Sequence, residues 1–282
     1  MMKKIVCFSL FCGLIVSLAS AQTTQVTSKN AVGYVKVVVP GGKYTIVAVP
    51  FDSMSASVDG LYTLDELIGT NLTADSTSTK ADEILLWTGS ATGYRSAFLN
   101  DDGWGDPSIN WKWCYIDEQS GEPFPCADNR NYDVQTGQGF WIMNRHDGKT
   151  LYLMGEVPSA SNTPVAIGSG LTMIANPYPV TRDLDQLITT NNGAYANSTS
   201  TKADQILIWT GAGYTEAFLN DDGWGDPSIN WKWCYIDEQS GEPAPCTSNE
   251  VYLINPGQGF WYLARGGSFV WDVTRPYNIN DL

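Results

Sequence analysis

The sequence predicts an all-β fold built as two tandem sandwich- or barrel-like modules, each with one short helix, and three observations carry that reading. First, one block occurs twice without a change, at 97–123 and again at 217–243. Second, the flanks repeat in the same order: STSTKADEILLWTG at 76–89 returns as STSTKADQILIWTG at 198–211, and GQGFW at 137–141 returns at 257–261. Third, short β-branched and aromatic runs recur between Gly, Asn, Asp and Pro turns, the pattern of sandwich or barrel strands. A repeat of roughly 120 residues is a domain used twice, because solenoid units are only about 20 to 50 residues long.

The chain opens with an export signal over 1–21: Lys3 and Lys4, an apolar run over 5–18, and Ala19-Ser20-Ala21 as the cleavage site. The apolar run falls short of the roughly 20 residues a spanning helix needs, and no later stretch reaches that length. Residues 22–31 are polar and read as a disordered start. The first module then occupies 32–158, with strands expected over 32–39, 44–49, 83–87, 94–99, 111–116, 139–143 and 150–157. A helix is expected over 63–68, where Leu and Ile recur at helical spacing.

A linker is expected at 158–164, where small residues lie between Pro158 and Pro164. The second module follows over 164–282, with strands at 171–175, 205–209, 214–219, 231–236, 260–263 and 268–273. Its helix is expected over 182–188. Thr63 and Thr181 are expected near the helix starts. The linker is too short for independent tumbling, so the modules should touch.

Four cysteines remain once the signal is removed. Their equal spacing in an exported chain predicts one disulfide per module, Cys114–Cys126 and Cys234–Cys246. Closing such a loop would stabilise a module by about 3 kcal/mol in the chain-entropy model. Zinc is disfavoured because it needs about four N or S ligands and His146 is the only histidine.

The net charge is −14, and it becomes more negative without Lys3 and Lys4. That balance argues against nucleic acid as a partner, which requires a basic face. It fits a self-repelling exported surface or one that binds cations.

Within the block, Asn100-Asp101-Asp102-Gly103-Trp104-Gly105-Asp106 gathers hard oxygen donors in a tight loop. Asn100, Asp101, Asp102 and Asp106, repeated as Asn220, Asp221, Asp222 and Asp226, form the candidate calcium set. The EF-hand pattern fails, because its first ligand position falls on Phe98. The alternative is a plain Asx-turn.

Trp104 and Trp224, between glycines, are expected to be exposed. With Asp101 and Asp221 they are the candidate ligand-binding residues: an indole face beside a carboxylate suits a sugar. Trp111 and Trp113, with Trp231 and Trp233, alternate as on a strand and should share one face, with core the favoured place for them. Trp87, Trp141, Trp209 and Trp261 lie in apolar runs and are assigned to the core.

Catalytic sets are lacking. A Ser-His-Asp triad cannot be duplicated with one histidine. A cysteine nucleophile would compete with the disulfide. No glycine-rich phosphate loop follows a strand and opens a helix. A glycosidase pair could be drawn only from Asp117, Glu118 or Glu122 with Asp101 or Asp106. No catalytic residue is therefore assigned.

One order of motifs carries a resemblance: Asn176-Pro177-Tyr178-Pro179, the Leu-rich segment 184–188, Ile206 to Trp209, and Pro256 to Trp261. It resembles the β-rich repeat modules of many uncharacterised exported and cell-surface bacterial proteins. The first module departs from the pattern at Val49, Asp52 and Thr136. The resemblance implies secretion and a β fold, and no catalytic residues.

The function expected is that of a secreted, non-enzymatic two-module protein with a structural or adhesive role at the cell surface or matrix. The alternative is a carbohydrate-binding protein that uses the Trp and Asp loops, with calcium as its ion. Polysaccharide or other cell-surface proteins are the expected partners.

Overall fold

The computed structural model describes residues 31–54, 61–115, 134–235, 246 and 253–279. The first module runs β1 (Val32–Val39), β2 (Lys43–Ala48), β3 (Leu61–Tyr62), α1 (Leu64–Leu67), β4 (Glu83–Gly89), β5 (Gly93–Asn100), β6 (Lys112–Tyr115), β7 (Val134–Gln135), β8 (Gly139–Asn144) and β9 (Lys149–Glu156). The second runs β10 (Asn162–Ile167), β11 (Gly170–Ala175), β12 (Arg182–Asp183), α2 (Leu184–Leu187), β13 (Gln205–Trp209), β14 (Tyr214–Asn220), β15 (Lys232–Tyr235), β16 (Leu253–Ile254), β17 (Gly259–Ala264) and β18 (Phe269–Thr274). The described chain is thus all-β, with two five-stranded sheets in corresponding orders, β2-β8-β4-β5-β6 and β11-β17-β13-β14-β15. Each sheet is accompanied by a two-stranded ribbon, β1–β9 in one module and β10–β18 in the other.

Strand alternation explains why the sheets stack. In β8 the side chains of Phe140 and Ile142 face one way and Trp141 the other, since successive residues point to opposite faces. Phe140 and Ile142 pack with Val47, Ile84 and Leu86 against Leu151 and Leu153 of the ribbon and Leu64 and Leu67 of the helix. The second module builds the same core from Ile174, Phe260, Ile206 and Ile208 against Val165, Trp271, Leu184 and Leu187.

The opposite faces of the two sheets meet each other. Ile46, Leu85, Trp87 and Trp141 pack with Met173, Leu207, Trp209 and Trp261 as a third core. The layer order is ribbon, sheet, sheet, ribbon. Of the four tryptophans assigned to the core, Trp141 and Trp261 are buried between modules rather than within one, and Trp87 and Trp209 pack against them only partly buried.

This junction has an internal two-fold character. Ala48 N–H donates to Gly257 O at 3.0 Å, and Ala175 N–H donates to Gly137 O at 2.9 Å. Val47 bridges Gln258 as Ile174 bridges Gln138. At its centre the two backbones touch: a Cβ on Gly259 would lie 3.3 Å from the Cα of Gly139 and 2.5 Å from Ile46 Cγ2. The repeated GQG sequence is what lets the modules cross this closely.

Three expectations need correction. The linker is shorter than 158–164, because Asn162–Ile167 is strand, paired with β18 and equivalent to β1. Pro164 is tolerated there because the ribbon has a free edge. The helix expected over 182–188, with Thr181 near its start, begins later: Asp183 caps α2, accepting the Asp185 N–H at 2.9 Å. Thr63 does cap α1, in a reciprocal box with Glu66. Ala31, placed in the disordered start, accepts the Val157 N–H at 2.7 Å and extends the β1–β9 ribbon.

The remaining linker is held in place. Arg275 donates to Ser159 O, Tyr178 Oη donates to Ala160 O at 3.2 Å, and Tyr277 Oη donates to Pro158 O at 2.8 Å. The expected signal at 1–21 and the rest of the polar start lie outside the described residues. Among those described, no helix is long and apolar enough to cross a membrane.

Candidate functional site

The duplicated block forms the β5–β6 and β14–β15 connections, at the sheet edges remote from β2 and β11. Asn100 closes β5, and its buried side chain donates to Ile109 O at 3.1 Å. Its backbone carbonyl accepts the Trp111 N–H at 2.7 Å, so the loop's two ends are tied together.

Between these ends the aspartates act as backbone acceptors. Asp101 Oδ1 accepts from Gly103 N–H at 3.0 Å, Asp102 Oδ1 from Trp104 N–H at 2.8 Å, and Asp106 Oδ1 from Ser108 N–H at 2.8 Å. Each is an Asx-turn, the local alternative to regular structure that Asp provides. Gly103 and Gly105 take φ of 74° and 77°, the left-handed region these turns require. Asn110, buried and absent from the sequence-based candidate set, fastens the loop from beneath. Its Oδ1 accepts the Asp102 N–H at 2.9 Å and its Nδ2 donates to Asp102 Oδ1 at 2.7 Å.

The second loop repeats every one of these bonds through Asn220, Asp221, Asp222, Asp226 and Asn230. The Ser108 hydroxyl and amide hold the Asp106 carboxyl below the usual carboxylate range, and Ser228 does the same for Asp226.

The carboxylates are thus spread along the loop on separate amides. Among the described residues no three Asp, Glu, His or Cys side chains gather into a group able to hold a metal. Asx-turns order the backbone of the loop.

The loop presents indoles outward. Trp104 and Trp224 are each 90% exposed. Trp113 and Trp233 lie in the core as expected, but the shared face expected with Trp111 and Trp231 is overturned. The strand begins at Lys112, and Trp111 sits before it with φ of 58°, a left-handed conformation that a bulky residue takes only at a cost. The two rings consequently do not share a face: Trp111 is half-exposed and Trp113 is fully buried. Trp231 and Trp233 divide in the same way, again with φ of 58° at Trp231.

Trp113 and Trp233 are instead the root of each loop. The Trp233 indole donates to Ile188 O at 2.8 Å, and the Trp113 indole to Gly69 O at 3.1 Å, joining edge strand to helix.

Cys234 and Cys246 form the expected disulfide, with Cα atoms 4.7 Å apart. Cys114 is also disulfide-bonded; its expected partner, Cys126, lies outside the described residues, as do Asp117, Glu118 and Glu122.

A second surface was not anticipated from sequence. The outer face of the β1–β9 ribbon exposes Val32, Tyr34, Val38, Tyr152 and Met154, with the two tyrosine rings 6.1 Å apart. The equivalent face of β10–β18 carries Asn162, Pro164, Ala166, Val270, Asp272 and Thr274. The signal was present in VGYVKVVV at 32–39, which is apolar in both alternations where a half-buried strand needs only one.

Comparison with protein-family models, with curated proteins and with solved structures returns no match to this chain.

Proposed function

We propose that this chain is an exported, non-enzymatic adhesive protein that makes contact through its two tryptophan-tipped loops. One observation carries the reading: the same indole, 90% exposed, stands in both modules on a backbone fastened by the same aspartates. Exposing an indole forgoes the stabilisation that burying it would bring, so a solvated Trp on an ordered loop is best explained by a contact made elsewhere. The disulfide and the basic, apolar start of the chain support export. Duplication favours adhesion over catalysis, since two weak contacts on one chain reinforce each other.

Polysaccharide is the favoured ligand class. A flat indole with the outer carboxylate oxygen of Asp101 or Asp221 close in sequence offers both ring contact and hydrogen bonding.

The test is affinity electrophoresis against a panel of polysaccharides, with binding to whole cells measured in parallel. Trp104→Ala or Trp224→Ala alone should weaken retention, and the two together should abolish it. Undiminished binding by the double variant to every surface the parent binds would overturn the proposal. Binding to cells but to no polysaccharide would leave adhesion standing and exclude the saccharide.

A further inference from the structure

The surface that joins the two modules is the same surface on each. Ile46, Leu85, Trp87 and Trp141 of the first correspond, strand for strand, to Met173, Leu207, Trp209 and Trp261 of the second. The principal contacts across the junction therefore occur twice, once in each direction. Trp87 packs edge-on against Trp261 with ring centroids 5.0 Å apart, and Trp209 packs against Trp141 at 5.4 Å. The Trp87 indole donates to Leu171 O and the Trp209 indole to Tyr44 O, both at 2.9 Å. A patch that meets its own equivalent in this reciprocal way has the geometry of an isologous pair, here with both halves in one chain.

Such a face is chemically complementary to itself. Set against a second copy of the first module, Trp87 would meet Trp141 as it now meets Trp261. The Tyr44 carbonyl would receive the Trp87 indole as it now receives that of Trp209. Gly139 would cross Gly139 where it now crosses Gly259, again with no side chain in the way.

We infer that the junction face is a homotypic docking surface whose partner is a second copy of this chain. Chains that open at the linker pair first module with first and second with second, giving dimers and longer assemblies held by the homotypic equivalents of the contacts seen within one chain. In a single chain the short linker keeps the partner module at high effective concentration, which favours the closed form. Arg275, Tyr178 and Tyr277 reinforce that form by clamping residues 158–160. Pairing between chains is therefore promoted by high protein concentration and by whatever releases the clamp. The inference is independent of what the tryptophan loops bind.

The test begins with the full chain carrying a protease recognition sequence within 159–161 and a mass tag on one module. After cleavage, the sample is equilibrated just below its melting midpoint, cooled, and examined by native mass spectrometry. Pairs of two first modules and pairs of two second modules should form alongside the original pair. Leu85→Glu should remove the first-module pairs and spare the second-module pairs, and Leu207→Glu should do the reverse.

The same incubation of the uncut chain at rising concentration should yield a growing dimer fraction by size-exclusion chromatography with light scattering. The inference is overturned if only the original pair or single modules are found after cleavage. It is equally overturned if each Glu variant leaves its own homotypic pair intact, or if the uncut chain stays monomeric at every concentration.

Discussion

The indole N–H of Trp87 donates to the main-chain carbonyl of Leu171 across the module junction, at 2.9 Å. Its counterpart, Trp209, does the same to Tyr44 at the same distance. Each ring also closes an edge-on aromatic cluster, with Trp87 beside Tyr94 and Trp261, and Trp209 beside Tyr214 and Trp141. Truncating a well-packed tryptophan costs about 3 kcal/mol or more, with an edge-on pair adding roughly 1 kcal/mol beyond the area it buries. Trp87→Ala and Trp209→Ala should each destabilise the protein by about 3 kcal/mol, and by similar amounts. Trp→Phe at either site keeps most of the packing and loses chiefly the hydrogen bond, about 1 kcal/mol. Urea denaturation followed by circular dichroism reads both. A large effect at one site and none at the other would contradict an equivalent junction.

Gly139 and Gly259 should tolerate nothing larger. A Cβ on Gly139 would lie 2.9 Å from Met173 Cγ, and on Gly259 2.5 Å from Ile46 Cγ2. Both clashes fall in a filled core, where overpacking costs typically 1 to 3 kcal/mol, roughly. Gly259→Ala should cost more than Gly139→Ala, because its neighbour is the stiffer β-branched isoleucine rather than a flexible methionine. Melting temperatures of the two variants decide the order.

The sequence makes the strands legible because they pair antiparallel between turns rich in Gly, Asn, Asp and Pro, and because the ribbon strands β1, β9, β10 and β18 alternate exposed and more buried residues. Val32–Val39 and Gln205–Trp209 fall on the expected residues. What it hides is which face each apolar residue serves. Trp141 and Phe140 look alike in GQGFW, yet one packs between modules and the other within its own. Nothing in the local pattern of the glycines beside them marks the close approach to the other module that they permit. Asp82 and Asp204 were also illegible. Both are fully buried, and Asp204 accepts from the Tyr195 and Arg265 amides at 2.8 and 2.6 Å and from Tyr262 Oη at 2.8 Å. Nothing in the local pattern of STSTKAD distinguishes a carboxylate that organises three loops from a solvated one. The exposure of Trp104 was legible from its flanking glycines. That of Trp111 was not, because alternation cannot register a left-handed residue at the strand's first step.

Among the described residues β15 is the last strand of its sheet, and Asp185 caps its outer edge. Its Oδ1 accepts the main-chain N–H of Trp233 on edge strand β15 at 2.9 Å, and its Oδ2 lies 3.3 Å from Lys232 Nζ. A side chain that occupies an edge donor removes a site where another strand could add. Asp185→Ala should lower stability by about 1 to 2 kcal/mol, roughly the cost of a lost charge-assisted hydrogen bond. It should also increase aggregation during thermal unfolding. Asp185→Asn retains an acceptor and should recover much of the loss. Light scattering during melting separates the edge effect from simple destabilisation, since a variant equally destabilised elsewhere should not aggregate more.

High pH should unfold the protein through its tyrosines. Burial raises the phenol of Tyr262, and the adjacent Asp204 carboxylate raises it further. Burial likewise raises Tyr62, ahead of the charges of Asp52, Glu66 and Glu156, and it raises Tyr94 and Tyr214 at the junction. A phenol that ionises near pH 10 when unfolded but resists ionising when folded adds stability that is complete below about pH 10. That stability is lost as the pH climbs through the raised folded values. Tyrosinate absorbance should therefore rise in part with a cooperative step that coincides with loss of the β-sheet signal. Complete ionisation before any loss of structure would show the phenols to be accessible.

Trp111 and Trp231 hold φ of 58° while half-exposed, so the ordinary ranking of substitutions should invert there. At a typical strand position glycine is the worse replacement, because it frees the unfolded chain and packs nothing. In the left-handed region a Cβ itself costs about 1 to 2 kcal/mol, and glycine removes that cost. Trp231→Gly should accordingly be more stable than Trp231→Ala by about 1 kcal/mol, and the same order should hold at Trp111. The indole at these positions is retained against a backbone penalty, which is the mark of a residue kept for contact rather than for folding. Trp111→Gly combined with Trp231→Gly should therefore leave the melting temperature close to that of the parent while weakening retention on whichever surface the Trp104 and Trp224 loops bind. A marked drop in melting temperature for the glycine pair would assign both rings to the fold instead.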